Sequence, residues 1–232
     1  MCGRYVSPDE ASIEREFDLP AAGWRFPASF NVAPSQAVPA IRWIGGAARA
    51  DLLRFGLVPF FAKGKPGKYS TINARIETVE SSASYRGPWR HAQRCLVPAR
   101  GFYEWHVNAD GSKQPFYIHP TDQGICAFAG LWDRSVGDDG TAIESFTIIT
   151  MPANDLMAEI HNAKARMPAI LPRAQRNAWL CGSQDAARAA LIAYPSQHLA
   201  AYPVGTRVNS PRNNDERLIE PVPAAHWQAR VP

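Results

Sequence analysis

The chain has 232 residues, 46% of them apolar and 20% charged, with a formal net charge of +4 and a pI near 9.0. That balance suits a globular protein able to bury a sizeable core, and the mild basic excess leans towards a polyanionic partner. No apolar run reaches membrane-spanning length, Pro8, Asp9 and Glu10 interrupt any secretory signal at once, and Cys2, Cys95, Cys126 and Cys181 lack ligand-like spacing, so no metal or cofactor is expected and the thiols read as reduced, in a cytoplasmic setting.

Residues 3–6 read as a short strand. A helix follows, with Ser7 at the N-cap, Pro8 at the first helical position and Glu10 completing a capping box; Ile13 and Phe17 lie four apart and face the core. Val38 to Trp43 and Ala50 to Leu57 form two strands joined at Gly45-Gly46. Lys63, Lys65 and Lys68 sit among Gly64, Pro66 and Gly67 in a basic loop over 62–70. Thr71 to Thr78 leads into a helix around Val79 to Tyr85. Strands are expected at Cys95 to Val97, Phe102 to Val107, Pro115 to Ile118, Ile125 to Trp132 and Ser145 to Thr150, with a turn at 108–111. Pro152 to Ile160 reads as a helix, Arg166 to Leu171 as a strand or loop, and Pro172 to Leu180 and Gln184 to Ile192 as helices, the first ended by Gly182. A short strand around Gly205 to Val208 precedes a polar tail that is Pro-rich from 219 to 232. No repeat or linker appears, so residues 1–232 read as one α+β domain with a twisted, β-barrel-like core flanked by helices, and Cys95, Cys126 and Cys181 as core thiols.

Cys2 is the residue with unusual chemistry. Removal of Met1 would leave an α-amine, pKa about 8, beside a thiol. This 1,2-aminothiol can condense with an aldehyde to an imine, as catalytic lysines do, and the thiol can then close a thiazolidine ring. The alternative is an ordinary second residue. Asn73 and Arg75 alternate in 71–75 and share a face if the segment is extended. Asn73 would then orient an amine or carbonyl and Arg75 a phosphate; a capped turn with a surface charge is the other reading. Glu104 lies within the aromatic run 101–105. Facing inward, its raised pKa would suit proton transfer; facing outward, it is an edge-strand charge. His161 ends an apolar helix, where it is either a C-terminal cap or a general acid–base group. Arg4 with Tyr5, Arg54 with Phe55, Trp89 between Arg86 and Arg90, and Trp105 near His106 interleave cations and rings, as single-strand binders do, although core aromatics beside solvated charges give the same pattern.

Several blocks occur together: 1–5 (MCGRY), 30–34 (FNVAP), 55–59 (FGLVP), 71–78 (TINARIET), 94–99 (RCLVPA) with 101–105 (GFYEW), Thr150, His161 with 166–171 (RMPAIL), 208–209 (VN) and 218–221 (LIEP). In this order, with Cys at position 2, the chain resembles the SOS-response-associated peptidase family, whose members sense abasic sites in DNA. The resemblance spans essentially the whole chain. It implies a covalent thiazolidine crosslink between Cys2 and the ring-opened sugar aldehyde, which shields the lesion from strand cleavage. Asn73 would position Cys2 and the sugar, Glu104 would shuttle protons, and His161 would assist the Schiff-base step. Arg4, Arg75 and Arg166 would hold phosphates and Trp105 would pack under a base or sugar. Single-stranded DNA and strand junctions would be the partners of a monomer working in the cytoplasm, at the nucleoid when bound. The family name adds a peptidase activity, with removal of Met1 as its autocatalytic form, and β-elimination would be a side reaction of the imine. The gap from His161 to Arg166 is longer than in many members and carries Asn162 and Lys164; Phe60 and Phe61 stand where members often have Trp. Two other classes remain: an N-terminal-nucleophile cysteine hydrolase, which would turn over amides without a DNA adduct, and a non-covalent single-strand binder, which would survive loss of Cys2.

Overall fold

The computed structural model describes residues 2–21, 23–65, 67 and 71–223. Met1, Pro66 and Lys68 of the expected basic loop, and residues 224–232 of the expected tail lie outside the described residues.

The elements run β1 (Tyr5–Ser7), α1 (Glu10–Phe17), β2 (Ser29–Val32), β3 (Ala37–Ile44), β4 (Ala47–Phe55), β5 (Asn73–Arg75), α2 (Arg86–Arg90), β6 (Arg94–Ala99), β7 (Gly101–Val107), β8 (Lys113–Pro120), β9 (Cys126–Val136), β10 (Ala142–Pro152), α3 (Asp155–Ile160), β11 (Arg166–Pro168), β12 (Ile170–Leu171), α4 (Arg176–Cys181), α5 (Gln184–Ala189) and β13 (Leu199–Pro203). Two sheets form. One has the order β13-β8-β7-β1-β2; in the other, β10, β4, β3, β6 and β9 close into a ring because β9 also pairs with β10. Closure leaves these five strands without free edges. The expected α+β architecture with a barrel-like core is therefore present.

Side-chain alternation assigns the faces. In the open sheet, Tyr5, Phe102, Phe116 and Ile118 join the main core, whereas Val6, Tyr103 and Tyr117 join a second cluster with Val204, Val208 and Leu218. Tyr5 packs edge-on against Phe55 and Phe128, and Phe55 stacks on Phe146 inside the barrel. The β3–β4 hairpin turns at Gly45 and Gly46 with φ of 64° and 83°. Both angles lie in the left-handed region that a type I′ turn requires and glycine accepts without strain.

Four local expectations are corrected. Helix α1 is capped by Asp9, whose carboxylate accepts from the Ser12 amide at 2.8 Å. Ser7 is taken by β1, paired with Ser29, and Glu10 accepts instead from the Phe26 amide at 2.9 Å. The segment 76–85 is a series of hydrogen-bonded turns rather than a helix, and the helix begins at Arg86; Ser81, Ser82 and Ser84 disfavour a helix interior, and Ser81 bonds the carbonyl of Thr78. The strand expected at Gly205–Val208 lies upstream at Leu199–Pro203, where it completes the edge of β8, while Thr206–Asn209 is a 3₁₀ turn. Cys181 is exposed at the end of α4, unlike the buried Cys95 and Cys126. Trp89, Phe55 and Tyr5 from the interleaved pattern are core residues. No described helix is long and apolar enough to cross a membrane.

Candidate active site

Cys2 is only 1% exposed and belongs to the main core, three residues before the start of β1. Beside it, β5 runs parallel to β10, with Asn73 opposite Ile148. The Asn73 side-chain amide donates to the Cys2 carbonyl at 3.1 Å, and the Tyr85 hydroxyl donates to the Asn73 carbonyl at 3.0 Å. The Asn73 Oδ1 is buried without a hydrogen-bond donor among the described residues. Such an orphan acceptor is uncommon and stands ready for an N–H or O–H brought in by a ligand.

The strand period settles which way Glu104 faces. Phe102 turns into the main core, so Glu104, two residues on, turns to the same side and is 2% exposed. Burial pushes its carboxyl above the usual carboxylate range. Its Oε2 lies 3.7 Å from Nε2 of His161. His161 is both of the things the sequence left open. It caps α3, its backbone N–H returning to Met157, and its ring faces the acid. Nδ1 lies 2.9 Å from the Arg166 carbonyl. A carbonyl only accepts, so Nδ1 carries the proton and Nε2 is the nitrogen turned towards Glu104. Burial, and next the charge of Glu104, drive the Cys2 thiol well above its ordinary pKa. The thiol is therefore protonated at neutral pH.

A cleft of about 380 Å³ opens next to this pair, lined by Glu104, Trp105, Lys113, His161, Lys164 and Asn209 among others. Trp105 is half-buried and its indole N–H donates to Asn209 Oδ1 at 2.8 Å. The cationic residues fare differently. Arg4 spends its guanidinium on Asn31 Oδ1 at 3.0 Å, the Val208 carbonyl at 2.7 Å and the Asn209 carbonyl at 3.1 Å. Arg166 is paired with Glu77 and donates to the Thr150 carbonyl at 2.7 Å. Arg75 is exposed at the end of β5. The structure thus gathers Cys2, Asn73, Glu104 and His161, puts Trp105 in the adjoining cleft, and ties Arg4 and Arg166 into the protein. Lys113 and Asn209 were not singled out as site residues from the sequence, and Lys164 only as part of the long gap after His161. Only the 208–209 block carried a signal for Asn209, and no sequence signal marked Lys113. Among the described residues no group of three metal-type ligands forms.

Residues 1–211 match the model of the family described as SOS response associated peptidase (SRAP). The chain belongs to that family. Among SRAP relatives, it is 37% identical over 228 residues to the Bacillus subtilis protein named abasic site processing protein YoqW, covering 95% of this chain and 99% of that one. The protein named abasic site processing protein HMCES from Gallus gallus is 34% identical over 196 residues, 73% of this chain and 56% of its own. A crystal structure of a protein from Bacteroides thetaiotaomicron superposes with a TM-score of 0.85 at 25% identity, covering 96% of this chain and all of that one. One from Bordetella bronchiseptica gives 0.76 at 30% identity, covering 88% of this chain and all of that one.

Proposed function

We propose that this SRAP chain processes abasic sites in single-stranded DNA by forming a covalent adduct through Cys2, once Met1 has been removed. The reading is carried by one observation: Cys2 is held by the Asn73 amide, beside a buried Glu104 that faces His161 at 3.7 Å. The names of its relatives point the same way.

The α-amine of Cys2 attacks the C1′ aldehyde of the ring-opened sugar, giving a carbinolamine that loses water to form an imine. The thiol sulfur then adds to the imine carbon and its proton goes to the nitrogen, closing the thiazolidine. Each step moves a proton. Glu104, protonated more readily than an exposed carboxyl, supplies the proton to the departing hydroxyl, and His161 relays protons between Glu104 and the sugar. Asn73 Oδ1, without a donor among the described residues, accepts from the Cys2 amine and aims its lone pair at the carbonyl. The elevated thiol pKa fits a sulfur that acts second, on an already electrophilic carbon.

The test incubates Met1-trimmed protein with a single-stranded oligonucleotide bearing one abasic site, followed by a denaturing gel and intact mass. A retarded band carrying the mass of protein plus DNA less one water is expected, and it should vanish in Cys2→Ala. Equal retardation in Cys2→Ala, or no adduct with trimmed protein, overturns the reading.

A further inference from the structure

Glu104 and His161 face each other at 3.7 Å. That is just beyond hydrogen-bond reach, so a shift of about half an ångström decides whether a proton passes between them directly. The two side chains come from separate parts of the chain. Glu104 is fixed on β7, opposite Phe116 of β8, whereas His161 stands at the C-cap of α3.

The link between these parts lies on the far half of β7. Strand β1 pairs with β7 only at Gly101 and Phe102, and the Arg4 carbonyl takes the Tyr103 amide at 3.0 Å. Main-chain groups of alternate residues point to the same edge of a strand, so Val107 presents its amide and carbonyl to that edge, past the end of β1. There the Asn162 side chain accepts from the Val107 amide at 3.0 Å and donates to the Val107 carbonyl at 2.9 Å. One side-chain amide, donor and acceptor together, reproduces the pairing that a neighbouring strand would supply. One residue earlier on β7, His106 Nδ1 lies 2.9 Å from the Glu159 carbonyl. Glu159 and Asn162 flank His161, so β7 grips the chain on both sides of the imidazole.

The turn that presents Asn162 is closed. The amides of Lys164 and Ala165 both return to the His161 carbonyl, at 3.1 and 2.8 Å. Ala165 is held at a φ of 47°, in the left-handed region that is costly for alanine. Contacts therefore impose the shape of this turn, and the extra length between His161 and Arg166 is a fixed support rather than slack.

We propose that Asn162 is a positioning residue for proton transfer: by pairing with Val107 it sets how far His161 stands from Glu104. The inference rests on the abasic-site reading above and adds to it a residue that acts on the reaction only through His161.

The test compares single-turnover adduct formation on abasic single-stranded DNA by wild type, Asn162→Ala and Asn162→Asp, with Asn162→Ala also made in a His161→Ala background. Affinity is measured separately by fluorescence anisotropy on a strand with one tetrahydrofuran residue, an abasic analogue without an aldehyde. Asn162→Ala removes two hydrogen bonds and is expected to slow adduct formation about fivefold or more, the lower end for two net hydrogen bonds, with affinity unchanged. Asn162→Asp keeps an acceptor for the Val107 amide but sets a carboxylate against the Val107 carbonyl, so it should not restore the rate. In the His161→Ala background, with adduct read by intact mass over hours, Asn162→Ala should bring no further loss. Asn162 is exposed, so these variants fold. A wild-type rate in Asn162→Ala overturns the inference. So does a loss of equal size with or without His161, or one matched by weaker binding, since either marks a merely structural role. If wild-type protein crosslinks aldehyde-bearing DNA and Asn162→Ala does so equally fast, this positioning role alone is rejected; if wild-type protein forms no adduct, the abasic-site reading fails and the inference with it.

Discussion

The side-chain amide of Asn73 donates to the backbone carbonyl of Cys2 at 3.1 Å. Residues 71 positions apart in the chain are thus joined where one carries the proposed nucleophile and the other a buried acceptor with no donor among the described residues. Asn73→Ala removes both, and a hydrogen bond contributes about 0.5–1.5 kcal/mol. Adduct formation is expected to slow about tenfold or more, measured as single-turnover rate on abasic single-stranded DNA. Asn73→Asp keeps an acceptor but loses the donor and should slow the reaction as well. A wild-type rate in Asn73→Ala would sink the positioning role.

Glu104 ties function to stability. Its carboxyl is raised by burial, so the native state holds its proton to higher pH than the unfolded chain does. Between the ordinary Glu value of about 4.3 and the raised native one, the native state binds more protons and stability falls as pH rises. Glu104→Gln removes this loss. The variant is expected to unfold at higher temperature than wild type at pH 7, with the gap narrowing below about pH 4 where both states are protonated, while adduct formation slows. Thermal unfolding across pH checks the first part and the crosslinking gel the second.

Arg4 and Arg75 should separate cleanly. Arg4 bridges β2 and the 206–209 turn through Asn31 and the carbonyls of Val208 and Asn209. Hydrogen bonds from a charged group contribute about 1.5–3 kcal/mol, so Arg4→Gln is expected to lower the unfolding midpoint. A single Lys ammonium cannot reproduce the guanidinium fork, so Arg4→Lys should recover only part of the loss. Arg75 is exposed, and Arg75→Gln is expected to leave stability unchanged while reducing the salt slope of DNA binding by about 0.7. The opposite pattern in urea melts and salt titrations would reverse the two roles.

Arg42 is 3% exposed, yet it reaches Asp51 at 2.8 Å and Glu144 at 2.9 Å and lies 4.6 Å over the Trp132 ring. It cross-links β3, β4 and β10 of the closed barrel. Removing one partner of a buried ion pair costs about 3–5 kcal/mol. Because Asp51 and Glu144 are partly exposed and can be rehydrated, Arg42→Ala is expected at or below the lower end. Arg49→Ala, which touches the same Asp51 from solvent, should change urea stability far less.

Much of this was legible in the chain. The strands expected at Phe102–Val107 and Pro115–Ile118 lie within β7 and β8, Gly45-Gly46 located the hairpin, and the helix expected from Pro152 to Ile160 is α3, shortened at its start because Asn154 caps it. The errors were local competitions. Asp9 and Ser7 are both good N-caps, and the pairing of Ser7 with Ser29 decided between them. The serines at 81, 82 and 84 weighed against the helix expected there, and β8 chose 199–203 over 205–208 as its neighbour. Cys181 carries no sequence mark of its exposure.

Residue identity puts the chemistry on offer: a thiol at position 2, an amide at 73, an acid in an aromatic strand and an imidazole at a helix end. Folding settles that Glu104 faces inward, that His161 presents Nε2 to it, that Arg4 and Arg166 are bound within the protein, and that Lys113 and Lys164 share one cleft. Residue type is a local property. Orientation, burial and proton affinity depend instead on barrel closure, sheet pairing and Asn162 filling a strand edge, and each of these joins residues far apart in the chain.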